Sequence, residues 1–413
     1  MIDLKALRQD PELFTESMRK RGAKVDIDAL VKLDSRYREV LADVEQVRAE
    51  RNDANKAVSR ANDAERPDAL SRARSAGERS KGLEEDLTKK KEELDRVLGA
   101  VPNLVHPSTP AGGQDVVHRE VGARPESDFA LRSHDQIGEE LGIIDTKRAA
   151  KVSGSRFAFL KGKGALLEFA LVRFAIDRVM AHGFEPVIVP VLVHERAMFG
   201  TGFFPTDEAE TYKTATDDLY LAGTSEVPLA SMHTDEILDS NTLPLSYAGF
   251  SSCFRREAGT YGKDTHGIIR LHQFEKVEMF VFCDATQSSE QHERILSIEE
   301  EIFQALEIPY RVVEIAAQEL GGPAYRKFDL EAWLPGEQRW LEVTSCSNCT
   351  DYQSRRLGIR TKTSKETELV HTLNGTAVAV QRAIVAILSN HQRADGSIEI
   401  PEALKPYAGF ETI

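Results

Sequence analysis

Cysteine and tryptophan are scarce in this sequence: 413 residues carry four Cys and two Trp. Four thiols, all in the second half at Cys253, Cys283, Cys346 and Cys349, are too few for a disulfide framework in a chain this long and fit a reducing compartment. Cys346 and Cys349 spell a CxxC, but neither Cys253 nor Cys283 supplies the second pair that a zinc site of this kind needs, so two small buried thiols are expected. Long apolar runs are also missing. The best candidate, Pro186 to Val193, is far short of the roughly 18 residues that cross a bilayer and carries Pro190. Met1-Ile2-Asp3-Leu4-Lys5 has neither a basic leader with a greasy core nor a small-residue cleavage site. No membrane partner and a cytoplasmic location are therefore expected.

What is present points to a folded chain with two unlike parts. Charged residues make up 29% and hydrophobic ones 41%, which excludes disorder throughout and suits two domains or one large domain with an appendage. The net charge of -14 is unevenly spread, because residues 1–100 hold 22 Lys plus Arg against 22 Asp plus Glu, and the remainder holds 31 against 45. The acidic excess thus belongs to the second part.

From about Ala29 to Asn62 there is no Gly or Pro, and Leu30, Leu33, Tyr37, Val40, Leu41, Val44 and Val47 fall at three- and four-residue steps, an amphipathic helix. Beyond Val47 the apolar side shrinks to Ala54, Ala57, Val58 and Ala61, which suits close helix approach. Arg66-Pro67-Asp68 breaks the run. A second helix with Leu70, Ala73, Ala76, Leu83, Leu87, Leu94 and Val97 ends near Gly99, making an antiparallel hairpin that reaches roughly 50 Å at ~1.5 Å per residue. Periodicity alone is equally served by a dimerising coiled coil or a spacer.

The expected divisions are a helical arm at 1–100, a connection at 101–119 rich in Pro and Gly, and a catalytic domain at 120–413. In the last, short β-branched and aromatic runs alternate with helical segments such as Ala165 to His182 and Ser288 to Leu306. Several runs follow one another through loops, which favours an α+β fold on an antiparallel sheet over a doubly wound one.

Chemistry concentrates in that domain. Cys253 to Glu257 and Ile268 to Phe282 read as two strands joined by a loop containing Gly259, Gly262 and Gly267. Arg255 and Glu257 are placed on one face of the first strand. In the second, Val277, Met279 and Val281 share one face, and His272, Phe274, Lys276, Glu278 and Phe280 the other. Charges lining a sheet face need partners if buried; the alternatives are a solvated polar face or a nucleotide site, in which Arg255 suits a phosphate or carboxylate and Phe274 stacks on a base. Thr224-Ser225-Glu226 points a hydroxyl and a carboxylate to one side of a strand. Glu342-Val343-Thr344-Ser345 ends the run Arg339-Trp340-Leu341, where a bend would aim two oxygens at a hard cation such as Mg²⁺. Asn374-Gly375-Thr376 is read as opening an apolar helix, Ala377 to Leu388, whose one long cation, Arg382, either snorkels or meets an anion.

The run Phe254-Arg255-Arg256-Glu257-Ala258-Gly259-Thr260-Tyr261-Gly262-Lys263-Asp264-Thr265, followed by Gly267-Ile268-Ile269-Arg270-Leu271-His272-Gln273-Phe274-Glu275-Lys276-Val277-Glu278, closely resembles motif 2 of bacterial seryl-tRNA synthetases, which are class II enzymes. His182-Gly183-Phe184 leading to Pro190 looks like the family's motif 1, and Leu373-Asn374-Gly375-Thr376 through Arg382 like its motif 3. Lys151 to Phe157, Thr224-Ser225-Glu226, and Thr344 to Cys349 leading into Gln353-Ser354-Arg355-Arg356 match as well. The resemblance extends over the whole chain, hairpin included.

It implies an antiparallel class II domain with a coiled-coil arm, and an ATP-dependent transfer of serine to tRNA(Ser), and to tRNA(Sec) where present, through a seryl-adenylate. Thr224, Ser225 and Glu226 with Arg255, Glu278 and Thr376 would hold serine. Arg255, Arg256, Glu257, Arg270, Leu271, Phe274, Glu342, Val343, Thr344, Ser345 and Arg382 would hold ATP, with Glu342 and Ser345 on Mg²⁺ and Arg255, Glu278 and Arg382 central to catalysis. A homodimer is implied. Departures from the common pattern are Ala377, Gln381 and Thr376, none of which removes a charge. The competing readings are a second copy serving resistance or biosynthesis, a ligase loading carrier proteins, which the hairpin argues against, and an inactive scaffold, which the presence of Arg255, Glu278, Glu342 and Arg382 argues against.

Overall fold

A computed structural model describes residues 1–258, 266–362 and 366–413. Gly259 and Gly262, and with them the stretch of the motif 2 resemblance from Gly259 to Thr265, lie outside the described residues. The chain divides into two compact units, one of Ile2–Arg19 and Ala23–Val101, the other of Met1, Lys20–Gly22 and Pro102–Ile413.

The first unit is dominated by helices α1 (Ile27–Arg60) and α2 (Arg66–Gly99), each of 34 residues and packed side by side. Asp26 caps α1, its carboxylate accepting from the Ala29 amide at 2.8 Å, which satisfies one of the orphan donors of a first turn. The reversal falls at residues 61–65, where the Asn62 side chain accepts from the Ala64 and Glu65 amides at 3.1 Å. Pro67 therefore separates the helices by starting the second one, in the first turn where its missing N–H costs nothing. The seam is apolar near the base, with Leu30, Val44, Val47, Leu94 and Leu98 buried, and small farther out, with Ala69, Ala76 and Ser80 buried.

The second unit is built on eight strands: β1 (Val116–Val121), β2 (Glu185–Ile188), β3 (Leu245–Phe254), β4 (Gln273–Cys283), β5 (Tyr310–Glu314), β6 (Arg326–Leu334), β7 (Arg339–Thr350) and β8 (His371–Ala379). Their order is β1-β5-β6-β7-β8-β4-β3-β2, antiparallel throughout except for the parallel β2–β3 pair. The expected α+β fold on an antiparallel-dominated sheet is thus present. Helices α3 (Lys163–Ala181), α5 (Ser288–Ala305) and α7 (Val380–Asn390) share one core with a sheet face, Leu167, Phe174, Ile295, Phe303 and Ile384 meeting Val277, Met279, Val281, Leu330 and Leu373. On the opposite face Phe280 and Phe282 pack with residues of the short helices α4 (Glu226–Ser231) and α6 (Tyr352–Leu357). The alternation expected along β4 is realised, and its polar side looks into a cavity.

Several local expectations fail, and the second strand of the pair, expected from Ile268, begins only at Gln273. Strand β3 stops at Phe254, so Arg255 and Glu257 lie beyond it, and Glu257 takes a left-handed φ of 51°. Ser225 and Glu226 belong to the start of α4, with Ser225 as N-cap, and not to a strand. Asn374, Gly375 and Thr376 lie inside β8, opposite Ser347 and Cys346 of β7 and Met279 and Glu278 of β4, and the helix starts only at Val380. Gly375 is needed in that ladder, since a Cβ there would sit 2.2 Å from Ile295 Cγ2. Finally, Val116–Arg119, placed in the connection by sequence, begins the edge strand β1.

Candidate active site

A cavity of about 280 Å³ opens over the polar face of β4, β7 and β8. Of the residues singled out by sequence it is lined by Thr224, Glu226, Arg255, Glu257, Arg270, Leu271, Phe274, Glu278, Glu342, Val343, Thr344, Ser345, Thr376 and Arg382. Two do not reach it. The Ser225 hydroxyl is fully buried and pairs with Ser251 Oγ at 2.7 Å, while Arg256 borders a separate surface recess with Tyr212 and Lys213.

One end of the cavity is built from buried carboxylates. Glu278 comes from the middle of β4 directly opposite Thr376 of β8. It is ion-paired with Lys276, two residues away on the same face, with side chains 2% and 8% exposed. Burial of this kind is tolerable only because each charge meets the other. Thr376 Oγ1 lies 3.5 Å from Glu278 Oε2. Glu226, delivered by the first turn of α4, accepts from Gln353 Nε2 at 2.7 Å and Asn374 Nδ2 at 3.0 Å. Burial first and the nearby Glu278 second push its carboxyl up to about 7, against the pull of Gln353. Such a carboxyl gains from a cationic ligand, which would restore its charge.

The other end is basic and aromatic. The Arg255 guanidinium lies 5.2 Å from the centre of the Phe274 ring and donates to the Gly223 carbonyl at 3.3 Å. Arg270 Nη1 donates to Glu257 Oε2 at 2.6 Å, which holds the carboxylate of a residue in strained backbone. Arg382, in the first turn of α7, donates to Glu342 Oε1 at 3.1 Å and to its carbonyl at 2.8 Å.

Glu342 and Ser345 both border the cavity because of a β-bulge. Leu330 pairs with Thr344 but Glu331 with Glu342, so β7 carries an extra residue at Val343, and a bulge re-aims the side chains around it. The bend expected after Leu341 is this bulge, in mid-strand. The Glu342 side chain is 46% exposed; partial desolvation in the cavity opposes its charge, but Arg382, Lys327 and Arg255 outweigh it and hold the carboxyl below the usual carboxylate range. One carboxylate and one hydroxyl form a small hard oxygen set that would suit a cation such as Mg²⁺. Thr344 borders the cavity too, yet its hydroxyl donates to Glu299 Oε2 at 2.7 Å on the helix side of the sheet. Glu299 is fully buried, and burial pushes its carboxyl well above the usual range.

Several further residues take part that no motif marks by itself. Lys276 falls beside Glu278 on the expected face, but that the two are buried as a pair is decided by the strands and helices around them. Gln353 and Asn374 sit in matched runs, yet their convergence on Glu226 joins α6, β8 and α4. Lys327 and Asp329, ion-paired at 3.2 Å, alternate with the buried Phe328 and Leu330, a period-two signal that would have marked β6 as having a polar face. Cys346 and Cys349 are both free and buried, and burial raises both thiols well above their ordinary range.

Comparison with known proteins follows the same division. Residues 1–105 match the seryl-tRNA synthetase N-terminal domain and residues 210–391 the tRNA synthetase class II core domain (G, H, P, S and T). A serine--tRNA ligase of Thermobifida fusca is 52% identical over 417 residues, covering 100% of this chain and 99% of that protein. The chain belongs to the seryl-tRNA synthetase family. A second such ligase, from Nocardia farcinica, is 48% identical with the same coverage. Among solved structures, the seryl-tRNA synthetase of Pyrococcus horikoshii complexed with ATP is 42% identical, covers 100% of this chain and 99% of its own, and superposes with a TM-score of 0.94. Among the described residues, no helix of this seryl-tRNA synthetase family member is long and apolar enough to cross a membrane.

Proposed function

We infer that the protein is an ATP-dependent serine–tRNA ligase, which activates serine as seryl-adenylate and passes it to tRNA(Ser), and to tRNA(Sec) where that tRNA occurs. The observation that carries this is one cavity with a buried acidic end and a basic, aromatic end. Serine would place its ammonium against Glu226, beside Thr224 and Glu278, and its hydroxyl within reach of Thr376 and Glu278. Its carboxylate then faces Arg255, whose planar fork suits both a carboxylate and a phosphate.

Adenine would lie on Phe274 with its edge toward Glu257, and the ring's far side would be closed by Arg382. Arg270 and Arg382 would meet the terminal phosphate. Glu342 and Ser345 would hold Mg²⁺, which when bound neutralises phosphate charge. A serine carboxylate oxygen attacks the α-phosphorus and pyrophosphate leaves; the terminal ribose hydroxyl of the tRNA then attacks the seryl carbonyl and AMP leaves. No protein base is required in the first step, because the nucleophile is already ionised. The residues contribute by alignment and by charge fixed in place before the reaction. A site that pairs a hydroxyl rejects alanine on the order of 10⁴-fold.

A homodimer fits the sheet edge. Strand β2 leaves Ile188 88% exposed, and Ile188, Leu192 and Met232 border an apolar groove with Val187 and Pro228, a surface suited to a second copy of this chain. The hairpin is assigned to the tRNA, with a cytoplasmic location. A carrier-protein ligase is disfavoured by the hairpin. Serine-dependent exchange of pyrophosphate into ATP, together with charging of total tRNA, tests the assignment; no exchange with any amino acid at millimolar concentration would refute it.

A further inference from the structure

Between β5 and β6 the segment Leu320–Ala324 forms no strand, yet Gly321, Gly322, Pro323 and Ala324 make a wall of the cavity. Irregular backbone beside a cavity must find partners for its carbonyls. Here all five accept from two residues distant in sequence, and the Gly321 carbonyl also from the Ala324 amide at 3.1 Å. Arg21, the last residue of the helix Pro11–Arg21, donates from Nη1 to the Leu320 carbonyl at 3.2 Å and the Gly321 carbonyl at 3.3 Å, and from Nη2 to the Ala324 carbonyl. Asn103 donates its backbone amide to the Gly322 carbonyl at 2.8 Å and its side-chain Nδ2 to the Pro323 carbonyl at 2.9 Å. The two are tied to each other, Arg21 Nε donating to the Asn103 carbonyl at 2.8 Å.

We propose that Arg21 and Asn103 are positioning residues for serine binding, a carbonyl clamp that sets the Gly321–Ala324 wall against the Glu226 end of the cavity. Two short chains of contacts lead from the clamp to that end. Asn103 Nδ2 also donates to the Cys349 carbonyl at 2.9 Å, and Asn374 Nδ2 lies 3.7 Å from Cys349 Sγ while donating to Glu226. On the other side, a Cβ on Gly202 would sit 3.4 Å from Pro323 Cβ; the adjacent Thr201 carbonyl accepts from Gln353 Nε2 at 3.1 Å, the same nitrogen that donates to Glu226. Arg21 is 8% exposed, and every hydrogen bond it makes here goes to a backbone carbonyl. Burial lowers its pKa to about 10, so it remains a cation at neutral pH. A guanidinium with five donors in a rigid fork can grip several carbonyls at once, which an ammonium on a flexible stem cannot.

This rests on the reading of the Glu226 end as the serine site, so the test carries Glu226→Gln as a control. In pyrophosphate exchange with full-length protein, Arg21→Met is expected to raise the serine KM on the order of tenfold, with the ATP KM within about twofold, and Arg21→Lys to recover part of the loss. Asn103→Ala keeps the amide donor to Gly322, removes only side-chain bonds, and should raise the serine KM more mildly; it decides the question if Arg21→Met does not fold by circular dichroism. The clamp proposal is overturned if Glu226→Gln raises the serine KM while the folded clamp variants leave it unchanged, or if they move serine and ATP parameters equally. If Glu226→Gln itself leaves the serine KM unchanged, the serine reading of that end falls and the proposal with it.

Discussion

In the helical hairpin the cross-helix ion pairs Arg48–Glu84 and Arg79–Glu50 leave between 37% and 59% of each side chain in water. On the sheet, Lys276 and Glu278 are 8% and 2% exposed. Both regions are rich in charge, but the dielectric around it differs, and so does what the charge can do. Exposed pairs are screened and contribute little. The buried pair is expensive to break, because removing one partner leaves the other without water or counter-charge. A neutral, solvated rod and an acidic domain with a few confined cations therefore coexist in one chain, and the net charge of -14 describes neither.

The sharpest test of that contrast is removal of a single cation from the cavity. Arg255→Ala should lower exchange on the order of 10³-fold, since one fixed donor at a reacting phosphate contributes that much, with thermal stability little changed because Arg255 is exposed. Deletion of Val31 to Leu98 is expected to lower tRNA charging more than about 100-fold while exchange stays within a few-fold of the intact protein. Equal loss of both activities in a folded deletion variant would break the division of labour between the two regions.

A pH series addresses the acidic end alone. The Glu226 carboxyl, raised to about 7, is neutral below that value and ionised above it, and an ammonium ligand needs the ionised form. The kcat/KM for serine should therefore fall as pH drops below 7, approaching about tenfold per unit, and Glu226→Gln should flatten that limb. A limb that persists unchanged in the variant would assign the titration elsewhere. Packing gives a further comparison: Gly375→Ala drives a methyl into Ile295 and should cost about 1–3 kcal/mol in chemical denaturation. The smallest effect is expected in the hairpin, where Arg48→Ala should change stability by no more than about 1 kcal/mol.

How much of this was legible depended on how local the cause was. The two hairpin helices follow from spacing, since each buries its own stripe against one neighbour, and their ends were placed within a few residues. The polar side of β4 was legible for the same reason, because alternation along one strand needs no knowledge of its partners. The polar residues around Thr376 misled: Asn, Gly and Thr resemble a helix cap, yet their pairing with β4 and β7 makes them strand. Arg255 and Glu257 both line the cavity although they lie beyond the strand expected to carry them, so residue type was legible where backbone geometry was not.

The sequence by itself determined the family, the hairpin, the antiparallel class of the sheet and many of the charged and polar residues that line the cavity, because motif identity and periodicity are properties of neighbours along the chain. Only the tertiary structure decided that burial raises the Glu226 carboxyl, that Arg382 and Lys327 favour the ionised form of Glu342, that Ser225 and Arg256 turn away, and that Arg21 reaches the wall formed by Gly321 to Ala324. Each of these depends on burial and on partners tens to hundreds of residues distant, and desolvation and Coulomb interaction are set by distance in space.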